Sequence, residues 1–369
     1  MKPATRLLLT ALTHPQTVEG CTPGDLDLLL RVARAASLEA LLYHRLEAHG
    51  LPAALPRRPR RHLEAAATVA ARQRTQVQWE VEQIRRALHP RGIPVVLLKG
   101  AAYTVAELPA AEGRLFSDVD ILVPRAALAE AERLLFAHGW IAEGYDAYDQ
   151  AYYRRWMHEL PALTHIRRKS VLDLHHTILP PTARARPDAG KLLAAAVPLP
   201  GRPGLSVLAP ADMVLHSAAH RFHDGEMGHG LRDVVDMDAL LRHFGRHPGF
   251  WPTLVARAFS LDLARPLYYG LRYAQRMLES PVPPAVIDAL ADAAPSRYLQ
   301  AAMDLLFEHG LAPHHWCCDD RLSPLARQLL YLRAHYLRMP LHLLLPHLLR
   351  KAVKRRAQGS RAAATETRA

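Results

Sequence analysis

The chain has 369 residues, room for two or three domains at about 150 residues each. Half of them are hydrophobic and 22% are charged, which excludes an intrinsically disordered protein, and three cysteines (Cys21, Cys317, Cys318) exclude a disulfide framework or a four-cysteine zinc site. The 47 Lys and Arg against 35 Asp and Glu leave a net charge of +12, suited to phosphate-bearing, nucleic-acid or anionic-membrane partners.

Met1 to Leu12 holds only a short apolar run, Leu7 to Leu12, too short for a secretory signal. The aliphatic clusters elsewhere are too short and too broken by His, Arg and Pro to span a bilayer. A soluble, cytoplasmic protein is the expectation. From Thr22 to Gly50, a Thr-Pro start, an acidic first turn and a glycine stop bound one amphipathic helix or a close pair of helices. Beyond a Pro-Arg stretch, Leu63, Ala67, Ala70, Val77, Val81, Ile84 and Leu88 form one apolar stripe on a long helix ending near Pro90 and Gly92. Residues 1–88 therefore read as a helical N-terminal region.

The period then changes. Ile93 to Leu98 is a short apolar run rich in β-branched residues, which predicts a strand covered on both faces and ended by Lys99-Gly100. A short Ala-rich helix to about Leu108 and a loop containing Gly113 lead to a second buried strand, Val119 to Val123. Residues 125–138 are helical, with Gly139 as the cap. Leu160 to Arg167 and Ser170 to Ile178 predict two more strands joined by the basic turn Arg167, Arg168, Lys169. Residues 89–180 thus form a small α+β core with a mixed sheet. Residues 181–210 read as a connecting segment with a small helix near Leu192 to Ala196, residues 211–356 as a helical C-terminal region, and 357–369 as a flexible tail.

The most informative segment is RLFSDVDILVP, residues 114–124. Asp118 and Asp120 stand two apart and project from one face at the start of an apolar strand. Such a pair repels itself unless a cation intervenes, which suits Mg²⁺, or Mn²⁺, beside substrate phosphates; the plain alternative is a solvated strand-end pair. Upstream, Lys99 and Gly100 offer backbone N–H groups, a helix N-terminus and a cation to a phosphate chain, against a reading in which Gly100 merely turns the chain. Arg114 can present its planar fork to a phosphate. Asp173, in VLDLHHTIL, is out of place in an apolar strand. If that strand lies beside residues 119–123, Asp173 joins the pair in a three-carboxylate metal site and is also positioned as general base. His175 shares its face and is a candidate cleft residue; His158, His165 and His176 are nearby in sequence.

A second constellation is HSAAHRFHDG, with His216, His220 and His223 spaced to share a helical face, followed by Asp224, Arg232, Asp233 and Asp236. It reads either as a polar face in which His220 and His223 line the cleft, or as a Zn²⁺ or Mn²⁺ site. The His223-Asp224 pair is similar to that of HD-type metal phosphohydrolases, though His216 lies too close for that family's layout. Near the C-terminus, HYLRMPLHLLLPHLLRKAVKRR reads as core packing followed by a basic tail, with contact to an anionic membrane surface as the alternative.

Together, a strand ending in K-G before a helix, R-x-x-x-D-x-D-I-L-V, and a later strand aspartate resemble the nucleotidyltransferase superfamily of the polymerase β type, most closely its uncharacterised bacterial branch with an L-K-G motif. The resemblance covers about residues 90–180, with weaker similarity in the helical flanks. It implies a phosphate turn at Gly100, metal binding by Asp118 and Asp120, and a triad completed by Asp173. It further implies transfer of a nucleoside monophosphate from an NTP, ATP being favoured, to an acceptor: a small molecule, peptide, protein or RNA. Lys99-Gly100 replaces the superfamily's usual Gly-Ser, and Lys99 would supply the charge in place of the missing hydroxyl. The rivals are an HD-like phosphohydrolase centred on His223 and Asp224, and an inactive protein that binds nucleotide or a partner.

Overall fold

The computed structural model describes residues 1–223 and 227–344. Helices α1 (Pro3–Thr13), α2 (Pro23–Ala35), α3 (Glu39–Glu47) and α4 (Arg57–Leu88) come first. The mixed region follows with β1 (Val95–Leu97), α5 (Lys99–Val105), β2 (Val119–Leu122), α6 (Leu128–Ala137), β3 (Trp140–Ile141), α7 (Ala147–Trp156), β4 (Leu163–His165) and β5 (Val171–His175). Next come α8 (Ala189–Ala194), β6 (Val197–Pro198) and β7 (Leu205–Val207). The rest is helical: α9 (Pro210–His223), α10 (Gly230–Phe244), α11 (Phe250–Ser260), α12 (Ala264–Leu278), α13 (Pro284–Asp288), α14 (Arg297–Gly310) and α15 (Ser323–Arg338). The architecture is α+β, as the sequence predicts.

Residues 22–50 resolve into the close pair α2 and α3. Thr22 Oγ1 accepts from Asp25 N while the Asp25 carboxylate accepts from Thr22 N, a capping box that fixes where α2 begins. All seven residues of the stripe predicted for α4 are buried. They pack this helix, about 48 Å long, against α3, α5, α6 and β2. Gly113, at φ 61°, lets the loop before β2 lie on α3, where an added Cβ would meet Leu41 N at 2.3 Å.

The strands form one seven-stranded sheet in the order β3-β4-β5-β2-β1-β7-β6. β2 is antiparallel to β1 and parallel to β5, and β1 is parallel to β7. Paired strands are shorter than the apolar runs that predict them: Ile93, Leu98, Leu160 and Ile178 are buried but lie outside β1, β4 and β5. An apolar run reports burial, not ladder pairing. Residues 181–210 are more than a connection, because β6 and β7 arise there, and the unassigned stretch 140–159 supplies β3 and α7. Strands of two or three residues beside Pro and Gly are too short to show a period.

The basic turn is anchored. Arg168 donates to both Glu80 carboxylate oxygens, at 2.8 and 2.9 Å, and its guanidinium lies 5.0 and 4.7 Å from the ring centres of Trp79 and Trp140. This fastens the β4-β5 hairpin to α4. One contiguous buried core runs from α1 through the sheet to α14 and α15. The helices before and after the sheet meet where α1 packs on α12, with His14 Nε2 3.0 Å from Glu279 Oε2 and the Met1 ammonium paired with Glu308.

Candidate active site

Three central strands bring the sequence-predicted residues to one place. Asp120 and Asp173 are register partners across parallel β2 and β5, and His175 follows Asp173 by two, so all three share a face. A donor atom from each of Asp120, Asp173 and His175 lies within 4.8 Å of the others. Asp118 is not in this group. It lies one residue before β2, at the cavity described below, and is repelled by the charge of Asp120.

The two carboxylates of the D-x-D pair have unlike surroundings. Burial opposes ionisation of Asp120, but Lys99 Nζ at 2.8 Å and His175 Nε2 at 3.1 Å hold its carboxyl well below the usual range. Asp118 has no such partner among the described residues; burial and the charge of Asp120 push it up against the weaker pull of Lys99. Asp173 is pushed up to about 8 by burial, then by Asp120 and Glu159. Asp120 and Asp173, with His175 beside them, are a close donor set that could hold a divalent cation.

Lys99 borders the cavity and neutralises Asp120, a pairing the sequence does not suggest. It does so from a left-handed backbone, φ 43°, at the turn from β1 into α5. Burial lowers its pKa and the charge of Asp120 more than reverses this. Gly100 is required by space rather than by backbone angle. A Cβ there would stand 2.5 Å from Arg114 Nε and 2.8 Å from the Phe116 ring. Arg114 pairs with Asp236 of α10, and its guanidinium lies 5.8 and 5.9 Å from the Tyr103 and Phe116 ring centres.

A cavity of about 420 Å³, the size of a small-molecule site, opens beside these groups. Lys99, Gly100, Arg114, Asp118 and Asp120 line its sheet side, and His220, Arg221, His229, Arg232 and Asp233 its helical side. His175 and Asp173 lie outside its lining, as does His223. His220 is held well below its ordinary pKa, first by burial and then by Lys99, so it is a neutral polar group at the cavity wall. His223 is lowered to about 4 by burial and Arg333, and His216 to about 3 by burial and Lys99.

The helical constellation separates into structural pairs. Asp233 accepts from Arg221 at 2.9 Å and Asp236 pairs with Arg114, so the acids read as possible metal ligands serve as counter-ions of arginines. Asp224 lies outside the described residues, as does the C-terminal segment from residue 345. Among the described residues His216, His220 and His223 belong to no group of three close donors, and no helix is long and apolar enough to cross a membrane. The cysteines Cys21, Cys317 and Cys318 are free.

Sequence reasoning missed Glu159. It forms an isolated antiparallel bridge with His175, and its carboxylate lies 3.4 Å from His175 Nε2 and 3.6 Å from His158 Nε2. His158, Glu159 and His175 make a second group of close donors sharing His175 with the first. The only signal was the His158-Glu159 dipeptide, in a stretch with no readable period.

A family model described as uncharacterised nucleotidyltransferase matches residues 22–279, from the Thr22 cap to just beyond α12. No curated protein and no solved structure matches the chain.

Proposed function

This chain belongs to the uncharacterised nucleotidyltransferase family, and from that premise we propose that it moves a nucleoside monophosphate from ATP to an acceptor, using Mg²⁺ or in its place Mn²⁺. The observation that carries this reading is the pairing of Asp120 with Asp173 across β2 and β5, beside a cavity entered by the Lys99-Gly100 turn. Asp118, Asp120 and Asp173 would hold the metal, which supplies charge neutralisation to the triphosphate when bound. The acceptor oxygen forms a bond to the α-phosphorus, the bond to the β-phosphate bridge breaks, and pyrophosphate leaves. Asp173, protonated on its own but favoured in its ionised form beside a bound cation, would then take the acceptor's proton. Lys99, Gly100 and Arg114 receive the phosphate chain, and His220 and His175 border the reacting groups. The acceptor belongs to the broad class of small molecules, peptides, proteins and RNA, and the free cysteines accord with a cytoplasmic setting.

The test is to incubate the protein with α-labelled NTPs, Mg²⁺ and cell extract and to identify what becomes labelled. Label transfer with ATP, lost in Asp118→Ala, is the expected result. No transfer from any NTP, or transfer undiminished in that variant, would overturn the reading.

Lys99 yields a prediction with two signs. Since it neutralises Asp120 and also borders the cavity, Lys99→Ala should weaken ATP binding by about ten-fold yet tighten Mg²⁺ or Mn²⁺ binding to the nucleotide-free protein. Titrations of metal alone and of ATP with metal separate the two effects. Unchanged affinities in both would remove Lys99 from the site.

A further inference from the structure

The charges around the cavity do not cancel in place. Lys99 is matched by Asp120, Arg221 by Asp233 and Arg114 by Asp236. Two charged side chains of the lining remain outside every ion pair among the described residues: Asp118 on the sheet side and Arg232 on α10. Arg232 Nη1 donates to the Leu115 carbonyl at 3.3 Å, and its buried Nε has no acceptor. Burial and the neighbouring Arg114 guanidinium press its pKa down to about 10 against the pull of Asp233 and Asp118, whereas Arg221 in the same lining has a carboxylate at 2.9 Å. A guanidinium held half-buried beside a second guanidinium is unfavourable unless an anion joins them.

The geometry points to Arg232 as a phosphate-binding residue that reaches the nucleotide's polyphosphate from the helical side of the cavity, opposite the carboxylates. This rests on the nucleotidyl-transfer reading for the identity of the ligand. A metal polyphosphate carries both complements in one molecule, a cation for the carboxylate of Asp118 and oxygens for the fork of Arg232. The Leu115 carbonyl orients that fork without neutralising it, and Asp233 and Asp236 are paired with Arg221 and Arg114. Donor affinity then depends on α10 as well as on the turn after β1, so the helical region is part of the binding site and not only a support for it.

Inorganic tripolyphosphate with Mg²⁺ is the probe, titrated beside ATP with Mg²⁺ into the parent, Arg232→Gln and Arg232→Lys. Arg232→Gln should lose about 10- to 100-fold in affinity for both ligands, with Arg232→Lys intermediate. Its melting temperature without phosphate should equal or exceed the parent's, since an unmatched charge has been removed. Unchanged affinity in Arg232→Gln overturns the assignment, as does a parent that binds neither ligand. If Arg232→Gln melts far below the parent, Arg232→Lys decides: affinity equal to the parent's for tripolyphosphate and ATP would be consistent only with a structural role and overturns the assignment, and a loss supports it. The two readings fail separately. Tripolyphosphate binding that needs Arg232 in a protein with no transferase activity keeps this assignment and removes the transferase reading. Label transfer with an unchanged ATP KM in Arg232→Gln does the reverse.

Discussion

Asp118→Asn and Asp120→Asn should each reduce nucleotide transfer by about 10³-fold or more, and their melting curves in EDTA should part in opposite directions. Asp120 is the buried anion that Lys99 and His175 enclose. Replacing it leaves a lysine without its counter-ion, and breaking a buried pair from one side costs about 3 kcal/mol or more. Asp118 has burial and a neighbouring carboxylate working against its charge. Its neutral isostere should leave stability unchanged or raise it. The motif alone suggests that relief of repulsion makes both changes neutral or favourable; the surroundings of Asp120 restrict that to Asp118. Equal melting behaviour of the two variants would contradict the asymmetry, and persistent transfer in either would remove the pair from the reaction.

For Asp173→Asn the expected loss of transfer is about 10²- to 10⁴-fold, the range of a general base, and it carries a pH signature in the metal-free protein. The folded protein holds the Asp173 proton up to about pH 8, whereas the unfolded chain releases it near the ordinary aspartate value of about 3.9. Between those limits the folded state binds more protons, so this group's contribution to stability is full below about pH 4, declines as pH rises, and levels off above about pH 8. The asparagine variant lacks that slope. Its melting temperature in EDTA should match the parent's near pH 4 and exceed it at pH 9. A variant that melts below the parent at pH 9 would show that the carboxylate is a favourable structural charge.

The face shared by Asp120, Asp173 and His175 was legible because strand geometry alternates and each residue interrupts an apolar run. Their convergence needed one further fact, the parallel pairing of β2 with β5, which the sequence offered as a condition and not as a result. The helical stripe of α4 was legible for the same reason of period. What could not be read was partner choice. Nothing in D-x-D says that Lys99 closes on Asp120 and leaves Asp118 alone, nor in R-D-V-V-D that one acid meets Arg221 and the other Arg114. Such choices depend on how the folded elements meet, whether the partners are 122 positions apart, as Arg114 and Asp236 are, or only 12, as Arg221 and Asp233 are. Glu159 was hidden for a different reason: it lies outside every strand and reaches His175 through a single bridge.

The sheet order bears on how far this protein can be cut down. β5, β2 and β1, which carry or lead into Asp173, the aspartate pair and Lys99, are the third, fourth and fifth of seven strands. A fragment limited to residues 89–180 would lose β7 and β6, and with them the parallel partner of β1. The strand that ends in Lys99 would then become an exposed edge with unpaired backbone groups, open to pairing with other chains. It would also lose α4, against which β2 packs. The aspartate motif is short in sequence, yet the packing and pairing around it run from the long helix before it to the Leu205–Val207 strand after it, so a fragment cut at residues 89 and 180 should be less stable than one that keeps both.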